Sequence, residues 1–229
     1  MRLPGSALLL VVLAGPQLAA QNSRSPLRFG VAWTGASSRG DLAELAEGPT
    51  GFTAQLSLPV TRSSPLGIRA EFSVLTFPER LITVPAGFGD AELEVAARGT
   101  IGFTGAGPRL EARAGPFAVA DAVMAGFVRM ITDVTGRATV DGDRSSASIS
   151  ESDYTLAFKA VVDGHLALYR GVQGTTIGLV TGVDFLRGGA VSFPALGTMR
   201  MAEEGVITID RPRVTPEAVI VRLGIGVEF

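Results

Sequence analysis

The last twelve residues alternate apolar positions with positions that are polar or small at five of six, Ile220 being the exception. Val219, Val221, Leu223, Ile225, Val227 and Phe229 share one parity. Ala218, Ile220, Arg222, Gly224, Gly226 and Glu228 share the other. Period two puts the two sets on opposite faces of an extended strand, whereas a 3.6-residue period would scatter them round a helix. The same test selects five more segments. Leu27–Thr34 sets Phe29, Val31 and Trp33 against Arg28, Gly30 and Ala32. Gly51–Val60 sets Phe52, Ala54, Leu56 and Leu58 against Thr53, Gln55 and Ser57. Leu66–Phe77 sets Leu66, Ile68, Ala70, Phe72 and Val74 against Gly67, Arg69, Glu71 and Ser73. Tyr154–Leu168 sets Leu156, Phe158, Ala160 and Val162 against Lys159, Asp163 and His165. Thr175–Leu186 sets Ile177, Leu179, Val183 and Phe185 against Gly178, Gly182 and Asp184.

Two further segments alternate less cleanly. Gly99–Arg113 holds Ile101 and Phe103, then Gly105-Ala-Gly107-Pro108, then Leu110 and Ala112. The apolar parity switches across the Gly/Pro stretch, which predicts a bulge. Phe117–Met130 is apolar on both parities. Asp121 and Arg129 share one of them, which assigns Ala118, Ala120, Ala122, Met124, Val128 and Met130 to the outer face.

Eight strands result, joined alternately by long and short connections. The long ones are Gly35–Pro49, Pro78–Arg98, Ile131–Asp153 and Arg187–Pro216; the short ones are Thr61–Pro65, Ala114–Pro116 and Tyr169–Gly174. An even strand number, with short turns at one end and long loops at the other, predicts an all-β fold: a closed antiparallel up-and-down transmembrane β-barrel. Closure is a physical demand, because an open sheet edge in hydrocarbon leaves rows of unsatisfied N–H and C=O groups. No domain boundary interrupts residues 27–229. Within the long connections, Leu81–Val84 and Val206–Asp210 read as strand extensions above the membrane.

Charge chooses the outside. Arg28, Arg69, Glu71, Asp121, Arg129, Lys159, Asp163, His165, Asp184, Arg222 and Glu228 form a sparse polar parity otherwise rich in Gly, Ala, Ser and Thr. A face turned to water would carry more charge. A narrow lumen filled by side chains fits, with the apolar parity against lipid. The pairs expected inside are Arg69 with Glu71, Asp121 with Arg129, Lys159 with Asp163, and Arg222 with Glu228. The opposite assignment, a secreted lipocalin-like binder with an apolar cavity, is the soluble alternative.

Composition agrees with export. Residues 1–20 read as a signal peptide: Arg2, the apolar run Ala7–Ala14, the break at Gly15-Pro16, and a cut near Ala20 that leaves residues 21–26 as a short leader to the barrel. Eight apolar residues are too few to span a membrane as a helix. The chain has no Cys and one His, which excludes disulfide frameworks, thiolate chemistry and multi-His metal sites. A net charge of −2 and a pI near 5.5 give no footprint for nucleic acid.

With the terminal strand Val221-Arg-Leu-Gly-Ile-Gly-Val-Glu-Phe229 in view, the chain from Leu27 to Phe229 resembles the small eight-stranded outer-membrane β-barrel proteins of diderm bacteria, a group that includes the OmpA transmembrane domain and OmpX. The resemblance implies a bacterial outer-membrane location and contact with its lipid. It also implies that Leu223, Ile225, Val227 and Phe229 form the signal read by the barrel-assembly machinery. Departures are the missing upstream aromatic in that signal and thin aromatic belts, with one Trp and two Tyr.

Little in the chain carries chemistry. His165, with Asp163 on its parity and Ser57 or Ser73 as imagined nucleophiles, is the sole candidate general base. It lies toward the short-turn end, and no Gly-x-Ser-x-Gly elbow exists. Asp141, Asp143, Glu151 and Asp153 form an acidic loop without the full calcium-loop register. No catalytic, cofactor or metal site is assigned. The expected role is structural or surface-binding, carried by the loops toward an extracellular ligand. The alternatives are a narrow pore for small or hydrophobic molecules and a lipid-modifying enzyme.

Overall fold

The computed structural model describes residues 26–45, 48–61, 64–85, 92–140, 143–171, 174–192, 200–201, 207–208 and 212–229. The signal segment at 1–20 therefore lies outside the described residues, as does Asp141. The elements are β1 (Arg28–Ser38), α1 (Asp41–Leu45), β2 (Thr50–Pro59), β3 (Leu66–Thr76), β4 (Arg80–Pro85), β5 (Glu92–Ala114), β6 (Phe117–Val140), β7 (Asp143–Arg170), β8 (Thr176–Gly188), β9 (Val191–Ser192), β10 (Arg200–Met201), β11 (Ile207–Thr208), β12 (Arg213–Val214) and β13 (Glu217–Glu228). No described helix is long and apolar enough to cross a membrane.

Among the described residues, eight strands close into a ring. Every pairing is antiparallel: β1–β2–β3–β5–β6–β7–β8–β13 and back to β1. The seam joins the chain's two ends, with Arg28 opposite Glu228 and Ser38 opposite Ala218. Closure leaves no ring edge to satisfy in hydrocarbon. The short-turn end holds tight connections. Ala114 pairs with Phe117 across Gly115-Pro116, and Gly115 sits at φ 61°. That is the positive-φ first position of a two-residue hairpin turn, which glycine adopts without strain.

The outer surface is the apolar parity. Phe29, Val31, Trp33, Phe52, Leu56, Ile68, Phe72, Leu156, Phe158, Val183, Leu223 and Ile225 are all exposed, while their strand neighbours are buried or half-buried. A soluble protein rarely presents so continuous an apolar surface. On a closed barrel it is the lipid-facing band.

The structure departs from the sequence reading on β5 and β6. No bulge occurs at Gly105–Pro108: the register with β3 runs unbroken from Leu66↔Leu110 to Thr76↔Thr100, and that with β6 is the same on either side of Pro108. Ile101 and Phe103 therefore point inward. On β6 the faces are reversed. Met124, Val128 and Met130 are buried in the barrel with Ala118, Ala120 and Ala122, while Val119, Val123 and Phe127 face out. The reason is that the lumen is apolar at its long-connection end. There Leu42 of α1, Leu75, Phe77, Ile101, Phe103, Met124, Met130, Val191, Val214 and Ile220 pack into one cluster.

The long connections are also more ordered than loops. β5, β6 and β7 run 23, 24 and 28 residues, far beyond the 9–11 that cross a membrane. With β4 on the flank they project as a continuous sheet, and Val140 still pairs with Asp143 at its tip. Leu81–Val84 is indeed strand, within β4. Of Val206–Asp210, only Ile207 and Thr208 are described; they pair with Met201 and Arg200.

Candidate functional site: the filled lumen

Inward positions near the short-turn end carry charge because every strand but β6 contributes polar residues there to the inward face. Glu71 is the hub of the upper group. It holds Lys159 and Arg69 and lies 3.5 Å from Arg222. Lys159 Nζ reaches Asp184 at 2.7 Å, and Arg222 reaches Asp184 at 2.7 Å. Asp163 accepts from both Arg69 and Arg222. Gln55 Oε1 accepts from Arg222 Nη1 at 2.9 Å and also from Arg69.

A lower group closes the barrel floor. Glu228 takes Arg28 and, at 2.6 Å, Arg113. Glu111 takes Arg109, Arg113 at 2.7 Å and Arg28 at 3.3 Å. His165 Nδ1 stands 3.3 Å from Glu228, and its Nε2 has no hydrogen-bond partner. Apart from Arg113, these side chains are at most 5% exposed. Charges so far from water are tolerable only when each meets opposite charge, as in this continuous network, although Asp184 has ion contacts and no hydrogen bond among the described residues. The lid is the apolar cluster above, and the two layers meet where Lys159 Nζ lies 5.3 Å from the centre of the Phe103 ring.

The pairing differs from the sequence expectation. Arg69 and Glu71 do pair. Lys159 and Asp163 are instead held by different partners, as are Arg222 and Glu228. Residues four or six apart on one strand face are separated by roughly 13–20 Å of extended chain, farther than the two side chains can close along that strand. Cross-barrel partners win. Asp121 and Arg129 require correction: both stand on the outward face of β6, not in the lumen. Arg129 caps the Tyr154 ring at 5.2 Å and donates to Ser152 Oγ at 3.4 Å, at the upper rim of the apolar band. Sequence reasoning missed Arg109, Glu111, Arg113 and Gln55. The alternating Arg109-Leu-Glu111-Ala-Arg113 was the available signal, hidden by the supposed parity switch at Pro108.

Among the described residues none of the expected nucleophiles pairs with His165. His165 meets Glu228, Asp163 is committed to two guanidinia, and Ser57 and Ser73 are buried on β2 and β3 without a hydrogen bond to either. In the acidic segment, Asp153 accepts from the amides of Ser192 and Tyr154, both at 2.8 Å, which fastens β9 to β7. Those two backbone donors, Ser192 first, hold its carboxyl below the ordinary aspartate range. Among the described residues no group of acidic or histidine side chains converges as a metal site.

Inward glycines make room for the network. A Cβ on Gly182 would collide with the Asp163 carboxylate and stand 2.9 Å from Arg222 Nη2. Gly182→Val is therefore expected to cost about 1–3 kcal/mol by overpacking. Gly164→Ala, whose Cβ finds nothing closer than Thr181 Cγ2 at 3.4 Å, is expected to stay within about 0.5 kcal/mol of the parent. Urea titration in detergent micelles compares the two.

A closed ring, apolar outside and filled with paired charges inside, defines a small transmembrane β-barrel protein. Its fold resembles solved outer-membrane proteins. The attachment invasion locus protein Ail of Yersinia pestis is 12% identical, with 90% of this chain and 99% of that one covered at a TM-score of 0.48. Neisserial surface protein A is 11% identical, covering 90% and 98% at 0.43. A major outer membrane protein of Thermus thermophilus is 14% identical, covering 90% and 100% at 0.38. No protein-family model matches the chain, and no curated protein matches its sequence.

Proposed function

We propose that this protein resides in a bacterial outer membrane and presents the projecting β4–β7 sheet outside the cell as a binding surface. The barrel then serves as its rigid anchor, and the terminal Leu223, Ile225, Val227 and Phe229 deliver it to the barrel-assembly machinery. The observation that carries the reading is the continuation of β5, β6 and β7 well past the apolar band as paired strand. Rigid scaffolds that hold out ordered segments are where recognition concentrates. Against a pore stands the double filling of the lumen, charged below and apolar above. Against lipid chemistry stands the engagement of His165 with Glu228, its one ion contact among the described residues.

Two measurements test this. The chain lacks cysteine, so Ser148→Cys on the projecting part of β7 should react with a membrane-impermeant maleimide on intact cells. Thr61→Cys at the short-turn end should react only after the envelope is opened. The reverse pattern would invert the topology. Reconstituted protein is expected to leave a planar bilayer silent, and discrete unitary conductance would replace the anchor reading with the pore.

A further inference from the structure

The outward face of β6, β7 and β8 is not smooth. Near the long-connection end it holds a groove of about 500 Å³ whose lining includes Val123, Leu156, Phe158, Ala160, Phe185 and Arg187 beside Lys159, Gly188 and Gly189. That volume is in the range of small-ligand sites. The register explains its shape. Ala160 lies between Val123 of β6 and Phe185 of β8, so a methyl group forms the floor between larger walls. One outward step higher, Phe158 lies between Ala125 and Arg187.

Depth and charge single out an occupant. The outward residues of β8 run Ile177, Leu179, Thr181, Val183, Phe185 and then Arg187. About 9–11 residues of tilted strand cross the hydrocarbon, so Arg187 stands where the apolar band ends and headgroups begin. Its side chain is exposed and makes no ion pair or side-chain hydrogen bond among the described residues. Glu217 occupies the paired position on β13, but the two form no ion pair. A guanidinium is a planar fork suited to phosphate oxygens. An unengaged guanidinium above an apolar groove, on a surface whose solvent is lipid, complements a phosphate group joined to an acyl chain.

We infer that this groove binds one phosphate-bearing membrane lipid, its phosphate on Arg187 and an acyl chain over Ala160 between Phe158 and Phe185. The inference rests on the transmembrane reading of the barrel, but not on which face of the cell the sheet reaches.

The test is native mass spectrometry of the refolded protein in detergent micelles titrated with phosphatidic acid, with diacylglycerol as the uncharged probe. The parent protein should retain one phosphatidic acid and release diacylglycerol. Arg187→Gln should weaken retention about tenfold, the loss of one charge-assisted hydrogen bond. Ala160→Phe should weaken it comparably with the charge intact, by filling the floor. Glu217→Gln should bind at least as well as the parent, since a competing carboxylate is gone. Equal retention of diacylglycerol would remove the phosphate from the proposal. Retention unaffected by both Arg187→Gln and Ala160→Phe, or absent in the parent, would remove the site. Heat-modifiable gel migration reports barrel folding for each variant, so loss of the fold and loss of the lipid are read separately.

Discussion

Glu71→Leu is expected to destabilise the barrel by about 3–5 kcal/mol, the cost of leaving buried charge without its partner. Glu71 is in ion contact with Lys159, Arg69 and Arg222. Without it, three cations share Asp163 and Asp184. Leu would fill most of the volume and satisfy none of the charge. The double variant Glu71→Leu with Lys159→Met removes one charge of each sign and is expected to recover part of the loss, since apolar replacement of a whole buried pair is often near neutral. The single tryptophan, Trp33, lies on the outward face. Its emission therefore reports transfer from lipid to water in a urea titration of vesicle-inserted protein. A Glu71→Leu midpoint equal to the parent's, or a double variant weaker than the sum of its singles, would show that the network is not what holds the lumen.

How far the sequence discloses this arrangement depends on what each face meets. Six strands have lipid on one side and mainly small, polar or charged residues on the other, with single apolar intrusions such as Leu75, Leu186 and Ile220, and alternation alone orients them, from Phe29 on β1 to Phe229 beside β13. β5 and β6 defeat the rule because their upper inward positions join the apolar cluster. Met124 and Val128 are as apolar as Val123 and Phe127, and only neighbours distant in sequence, such as Leu42 and Ile220, decide which set is enclosed. A polar residue read as an inward marker there puts Asp121 and Arg129 on the wrong side. The projecting parts of β6 and β7 are hidden for another reason. Ser146, Ser148, Ile149 and Ser150 are all exposed although they alternate in parity, so no apolar stripe betrays a strand. Nine of the eleven residues expected in the lumen are buried there, because inward charge on a lipid-facing barrel has nowhere else to go, whereas Arg109 and Glu111 join them unannounced. Their partners are not legible in the sequence, since pairing depends on closure.

Val183→Arg is expected to cost about 2–4 kcal/mol in a bilayer, the range for a cation on the lipid face near the midplane. Val183 lies between Val162 of β7 and Val221 of β13, all three exposed and outward. It is also near the middle of the outward run of β8, too deep for an arginine to reach headgroups from either side without strain. Were the same barrel in water, an exposed valine to arginine on a strand would change stability by no more than about 0.5 kcal/mol. The two solvents thus predict different magnitudes for one substitution, and no inward contact is touched. The comparison is urea unfolding of Val183→Arg and Thr50→Arg, the latter exposed where β2 begins at the long-connection end. In vesicles the first should be depleted in stability and the second close to the parent. Equal, small effects at both positions would mean that the apolar stripe does not meet hydrocarbon. The paired charges of the lumen would then have to be explained in a soluble barrel that exposes Phe158, Val183 and Ile225 to water.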